Sequence, residues 1–208
     1  PVMHPILSDY QNDMNKLGHT QERIMRLLAF IGFPLSIVLL FCAKELILCV
    51  FGEQWLPSIP VFQILSLTVG LQLLLSSSGS FYQAGNDTRG LFICGAFSAL
   101  TSIIGLLIGI FYFHSLEAIA WCIFISFCLN FIQCYWQLYR FMLHRSLLLC
   151  YRQLLSPSIL SCIIGCTLYL VSIFIKDYNI ILSLFSKAII SFILWIVYIQ
   201  FTKEYDIF

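Results

Sequence analysis

Residues 32–67 hold the end of one long apolar run and the start of the next, broken only by Phe51-Gly52-Glu53-Gln54-Trp55-Leu56-Pro57-Ser58. The first run, residues 27–50, is about 24 residues long. At about 1.5 Å of helical rise per residue it crosses a hydrocarbon core of about 30 Å with some tilt. The second run, residues 59–82, follows at once. The segment between them supplies a glycine that stops one helix, a tryptophan suited to the headgroup layer and a proline near the start of the next helix. The pattern predicts a membrane hairpin with both helices anchored at one face.

The rest of the chain repeats the theme. Turn chemistry at Gly85-Asn86-Asp87-Thr88-Arg89-Gly90 predicts a sharp reversal into a third span over 91–113, and His114-Ser115-Leu116-Glu117 connects it to a fourth over 118–138. After a basic segment, 139–153, a fifth span is expected over 154–175. Lys176-Asp177-Tyr178-Asn179 then turns the chain into a sixth span over 180–201. The expected fold is an all-α, six-helix, polytopic membrane protein. Residues are 60% hydrophobic and 10% charged, too little polar surface to coat a soluble globule of this length.

Lysine and arginine set the expected orientation, because cytoplasmic loops retain positive charge. With the amino end inside, Lys16, Arg23, Arg26, Arg89, Arg140, Arg145, Arg152 and Lys203 all fall on the cytoplasmic side, and Lys176 alone falls opposite. Both ends of the chain are therefore expected in the cytoplasm. A net charge of +1, with the basic residues spread among loops, gives no basic patch and excludes nucleic acid as a partner. The nine cysteines are odd in number, lie in or beside apolar runs and show no CxxC pair, so they read as small packing residues rather than disulfides or metal ligands. No cofactor or nucleotide motif is present, and the four histidines are far apart, which argues against an enzyme.

Polar residues inside spans carry the functional expectations. Ser126, Asn130, Gln133 and Gln137 recur at intervals of four, three and four on one helical face. Such a stripe either bonds to a neighbouring helix or walls a hydrophilic path for sugar hydroxyls. Lys187, with Ser183 and Ser191 one turn to either side, makes a second stripe; its ammonium either snorkels outward or meets an anionic phosphate in a cavity. Lys44 and Glu45 are expected to snorkel at the outer end of the first span. Gly95, Gly105 and Gly109, spaced with Ser98 and Ser102, predict a helix-packing seam in the third span. Pro34 removes a backbone bond within the first helix and predicts a kink.

Residues 1–90 resemble a known family. Pro5-Ile6-Leu7-Ser8 with Gln11 and Asp13, then Pro34, Ala43-Lys44-Glu45, the Phe51-Gly52-Glu53-Gln54-Trp55 turn, Pro60-Val61-Phe62 and Gln83-Ala84-Gly85-Asn86 are similar to the polysaccharide transporter family. That family includes Wzx-type O-antigen flippases and the colanic-acid exporter, within the multidrug, oligosaccharidyl-lipid and polysaccharide exporter superfamily. Beyond Gly90 only hydropathy and spacing agree. The resemblance implies a six-helix lobe of a two-lobed, MATE-like transporter in the bacterial inner membrane. Its cargo would be an undecaprenyl-diphosphate-linked oligosaccharide for surface polysaccharide, including lipopolysaccharide, and its partners would be the bilayer and an N-terminal lobe outside residues 1–208. On this reading the lobe lacks its first helix, which would end just before Pro1. A drug exporter of the same superfamily is expected to show a buried carboxylate, and a polytopic enzyme of polysaccharide assembly a large outer loop; neither is evident in the residues.

Overall fold

The computed structural model describes residues 14–174 and 180–202. The polar start around Ser8, Asp9 and Asp13, the Lys176–Asn179 turn and the tail from Lys203 lie outside the described residues. Helix α1 runs Met14–Phe41 and α2 Ala43–Val50; a 3-10 turn, Glu53–Ser58, leads to α3, Ile59–Ser66, and α4, Thr68–Ala84. Helix α5, Thr88–Ile108, ends in a π-helical turn, Gly109–Phe113. Helix α6, Leu116–Gln137, ends in another, Leu138–Met142. Helices α7, Leu147–Phe174, and α8, Ile180–Thr202, complete the bundle. Among the described residues there is no strand.

Among the described residues five helices are long and apolar enough to cross a membrane: α1, α7, α8, and α5 and α6 with their π turns. The α3–α4 pair makes a sixth if its two arms are one span bent by 42°. Gly52 permits the turn before the 3-10 segment, because its φ of 87° is a conformation that side-chain-bearing residues rarely adopt.

Two packing centres hold the helices together. Near the basic end, Leu17, Met25, Leu74, Phe81, Tyr82, Tyr135, Leu138 and Tyr139 form a core joining α1, α4 and α6. The Tyr82 hydroxyl donates to the Cys134 carbonyl at 3.0 Å, and that of Tyr135 to the Leu74 carbonyl at 2.9 Å, so these rings bury apolar area while their polar ends stay satisfied. Further along, Phe30, Leu160, Ile164 and Leu168 pack α1 against α7, with Leu194, Trp195 and Tyr198 of α8 closing over them. Helix α5 packs chiefly on α6 and is otherwise open: only Gly90 and Cys94 are buried along its α-helical length, and Phe92, Ile103 and Leu107 face outward, as suits a helix bathed in lipid.

The observed boundaries differ from the expected spans at the basic end. Helix α1 already covers residues 14–26, ahead of the span expected from 27, and Leu17, Gly18, Gln21, Glu22 and Met25 of that stretch are buried against neighbouring helices. Only residues 143–146 separate α6 and α7, where a basic loop over 139–153 was expected. Tyr139, Met142, Leu143, Cys150 and Leu154 all enter the first core, which draws the flanking residues into helix. All nine cysteines are free thiols.

Candidate functional site

Backbone groups left open by helix breaks decide where the polar side chains go. Pro34 has no N–H, so the carbonyl of Phe30, four residues earlier, loses its usual helical donor. The Trp195 indole of α8 donates to it at 3.0 Å. The break between α3 and α4 leaves the first N–H groups of α4 unpaired within the helix. Ser36 of α1 accepts the Gly70 N–H at 2.8 Å, capping the broken span from another helix. The two glycines at this level make that approach possible: a Cβ on Gly32 would sit 3.1 Å from the Gly70 Cα.

Lys187 of α8 reaches the end of α1 in the same manner. Its Nζ donates to the Phe41 carbonyl at 3.1 Å and forms a salt bridge with Glu45 of α2. Ser183 donates to the same Glu45 oxygen at 2.9 Å, while Ser191 turns back to the Lys187 carbonyl at 2.7 Å. Lys187 is 4% exposed and Glu45 9%. The ammonium therefore neither snorkels nor faces an open cavity; it neutralises a carboxylate that was expected at the interface and is buried instead. Lys44, its neighbour, is exposed. Sequence patterning missed this pair because its members lie 142 residues apart.

The stripe on α6 turns toward α5. Ser126 donates to the carbonyls of Thr101 and Cys122, at 3.1 and 2.8 Å. Asn130 donates to the Ser98 hydroxyl at 2.8 Å. Gln137 Nε2 donates to the Gly90 carbonyl at 3.1 Å, while its Oε1 accepts from Gln133 Nε2 at 2.7 Å and from the Cys94 thiol at 3.4 Å. These bonds support helix-to-helix bonding for Ser126, Asn130 and Gln137. Gln133 differs: its buried Oε1 has no partner among the described residues. Of the three seam glycines, Gly105 and Gly109 lie close against α6. A Cβ on Gly105 would lie 2.7 Å from Ser126 Oγ, and one on Gly109 would lie 2.9 Å from the Ile119 Cα. Gly95 faces open space, with nothing within 4 Å of such an atom.

At the basic end, Arg145 in the short α6–α7 connection donates to Glu22 of α1 at 2.8 Å and to the Asn15 carbonyl at 3.2 Å. Gly18 gives the guanidinium room, since a Cβ there would meet Arg145 Nε at 2.8 Å. Beside this strut are two recesses that share the ring of Trp136. One, of about 350 Å³, is lined by Asp87, Arg89 and Gln133 among others; the second, of about 480 Å³, by Arg140, His144 and Arg145. A third, of about 370 Å³, is almost wholly apolar and lies between α1, α4, α6 and α7. Among the described residues no cluster of three or more His, Cys, Asp or Glu is placed to hold a metal.

The fold matches a solved transporter. Lipid II flippase MurJ, in an inward closed conformation, superposes over 98% of this chain with a TM-score of 0.74 at 16% identity, and this chain corresponds to 43% of that one. In sequence, residues 1–60 match a family described as polysaccharide biosynthesis protein. A membrane protein in the cps region of Klebsiella pneumoniae, itself described as uncharacterized, is 30% identical over 83 residues, 40% of this chain and 17% of that protein. Teichuronic acid biosynthesis protein TuaB of Bacillus subtilis (strain 168) is 32% identical over 81 residues, 38% of this chain and 16% of TuaB. The sequence matches thus cover residues 1–60 for the family and about 80 residues for each relative, while the fold match covers nearly the whole chain. The matched regions span about a sixth of these relatives' lengths. The chain is a multi-pass membrane protein with a flippase-type fold.

Proposed function

We propose that this chain is one lobe of a flippase that moves a lipid-linked oligosaccharide, carried on undecaprenyl diphosphate, across the bacterial inner membrane for surface polysaccharide synthesis. The observation that carries the reading is the MurJ fold over nearly the whole chain, joined to the polysaccharide biosynthesis match at its start. On this reading the protein is a transporter without catalytic residues or cofactor, its basic end faces the cytoplasm, and an N-terminal lobe completes the cavity. The bent α3–α4 span and the Pro34 level of α1 meet at the Ser36–Gly70 bond, a place where two helices can tilt without exposing backbone groups to lipid. The α1–α8 contacts through Trp195 and Lys187 keep the outer helix attached as they do so.

A drug or cation exporter of the same superfamily is the competing reading, since Glu45 does supply a buried carboxylate. Its charge is already balanced by Lys187, which leaves no free acid there for a coupling ion. Deletion of the gene in its host separates the two. The flippase reading expects loss of surface polysaccharide and build-up of lipid-linked saccharide facing the cytoplasm, both restored by the full-length gene. Unchanged surface polysaccharide, with altered drug sensitivity, would favour the exporter.

A further inference from the structure

Of the two recesses that meet at Trp136, one lies where the start of α5 meets the end of α6, and the other between the end of α6 and the start of α7. Arg89 borders the first and Arg140 the second, both exposed and neither forming an ion pair within the described residues. Arg145, by contrast, is taken up by Glu22. The Trp136 ring between the recesses is 47% exposed and is braced edge-on by Phe141, with ring centroids 5.2 Å apart. Indole rings and guanidinium groups at the end of a spanning helix belong to the headgroup layer, not to the hydrocarbon. Gln133 borders the first recess with its side chain turned inward: its Nε2 is committed to Gln137 and its Oε1 is buried. Asp87 is part of the same wall, with one carboxylate oxygen already accepting the Gly90 N–H at 2.8 Å.

From this arrangement we propose a binding groove for the phosphate-bearing, hydroxyl-rich headgroup of a membrane lipid, with Arg89 and Arg140 holding phosphate and Asp87 accepting hydroxyl hydrogen bonds beside the Trp136 ring. Guanidinium groups form charge-assisted bonds to phosphate oxygens, and a carboxylate accepts from hydroxyls. The Asp87 carboxylate disfavours a bare anion, so the hydroxyl-bearing part of the headgroup faces it and the phosphate faces the arginines. Two lipids share this chemistry: an anionic glycerophospholipid such as phosphatidylglycerol, and a polyprenyl diphosphate bearing a sugar.

The test is lipid retention by the full-length protein in phosphatidylcholine nanodiscs, read by native mass spectrometry. Phosphatidylglycerol or a sugar-bearing polyprenyl diphosphate is added at equal mole fraction. The Arg89→Gln, Arg140→Gln double variant is compared with a charge-matched control, Lys44→Gln with Arg152→Gln. Retention of either phosphate lipid should fall about tenfold in the arginine variant, the loss of about 1.4 kcal/mol of binding, and stay near wild type in the control. Preference for phosphatidylglycerol identifies a phospholipid site. Displacement of it by the polyprenyl diphosphate identifies a site for the glycan carrier. Equal retention by the arginine variant and wild type overturns the proposal, as does equal retention of phosphatidylethanolamine, whose ammonium would be answering Asp87. Binding is read without transport, so failure here leaves the flippase reading standing.

Discussion

Removing the charge of Lys187 gives the most informative single perturbation of this bundle. The ammonium contacts the Phe41 carbonyl at 3.1 Å and the Glu45 carboxylate, which also accepts from Ser183 at 2.9 Å, and both charged residues are at least nine-tenths buried. Taking one member from a buried ion pair strands the other charge in a low-dielectric site and costs about 3–5 kcal/mol, whereas replacing both by neutral residues of similar shape is often near neutral. Lys187→Met and Glu45→Gln should each lower the midpoint of thermal unfolding of the detergent-solubilised full-length protein. The Glu45→Gln, Lys187→Met double variant should return most of the way to wild type. A coupling of several kcal/mol across the cycle is expected for groups in direct contact in a buried site. Single variants indistinguishable from wild type, or a double variant that simply adds the two losses, would refute the buried pair. Export at matched protein levels then separates structure from transport: a double variant that is stable and still exports assigns the pair to holding α8 on α1 and α2.

The remaining predictions follow the backbone contacts. Trp195→Phe, which removes the donor to the Phe30 carbonyl but keeps most of the ring, should cost about 1–3 kcal/mol of unfolding stability, while the same substitution at the exposed Trp121 should cost little. Gly95→Ala should be silent in the same measurement. Gly109→Ala, which forces a methyl to within 2.9 Å of Ile119, should separate α5 from α6 and cost about 1–3 kcal/mol. Gly18→Val should displace the Arg145 guanidinium and lower stability, and this loss should shrink in an Arg145→Ala background; additive losses would show that the two do not share space.

Much of the architecture was readable from apolar run length, because a chain in lipid must satisfy its backbone within helices and so declares each span by composition. The turn at residues 51–58 and the Gly85-Asn86-Asp87-Thr88-Arg89-Gly90 reversal also told where helices end. The basic end was less legible. Gln21 and Glu22 look like aqueous-face residues until Arg145, 123 residues further on, is seen to bond with Glu22 inside the fold. Helical spacing identified the Ser126–Gln137 stripe as one face but could not say what lay opposite it. The opposite surface is the Ser98 hydroxyl together with the Thr101 and Gly90 carbonyls, which only the pairing of α5 with α6 brings into reach. Pro34 predicted a lost bond, and the structure adds the group that answers it, Trp195. Long-range partners of this sort leave no periodic trace in either helix.

The most direct test of the central claim is lipid translocation by the purified full-length protein in proteoliposomes. A lipid-linked saccharide is placed in one leaflet and its appearance in the other is followed with a membrane-impermeant reagent that reacts with the sugar. The account predicts protein-dependent transfer of the diphosphate-linked saccharide well above that of protein-free vesicles, with no chemical change in the lipid. Folded, correctly inserted protein that leaves transfer at the protein-free rate, or that cleaves or extends the saccharide instead of moving it, would contradict the account.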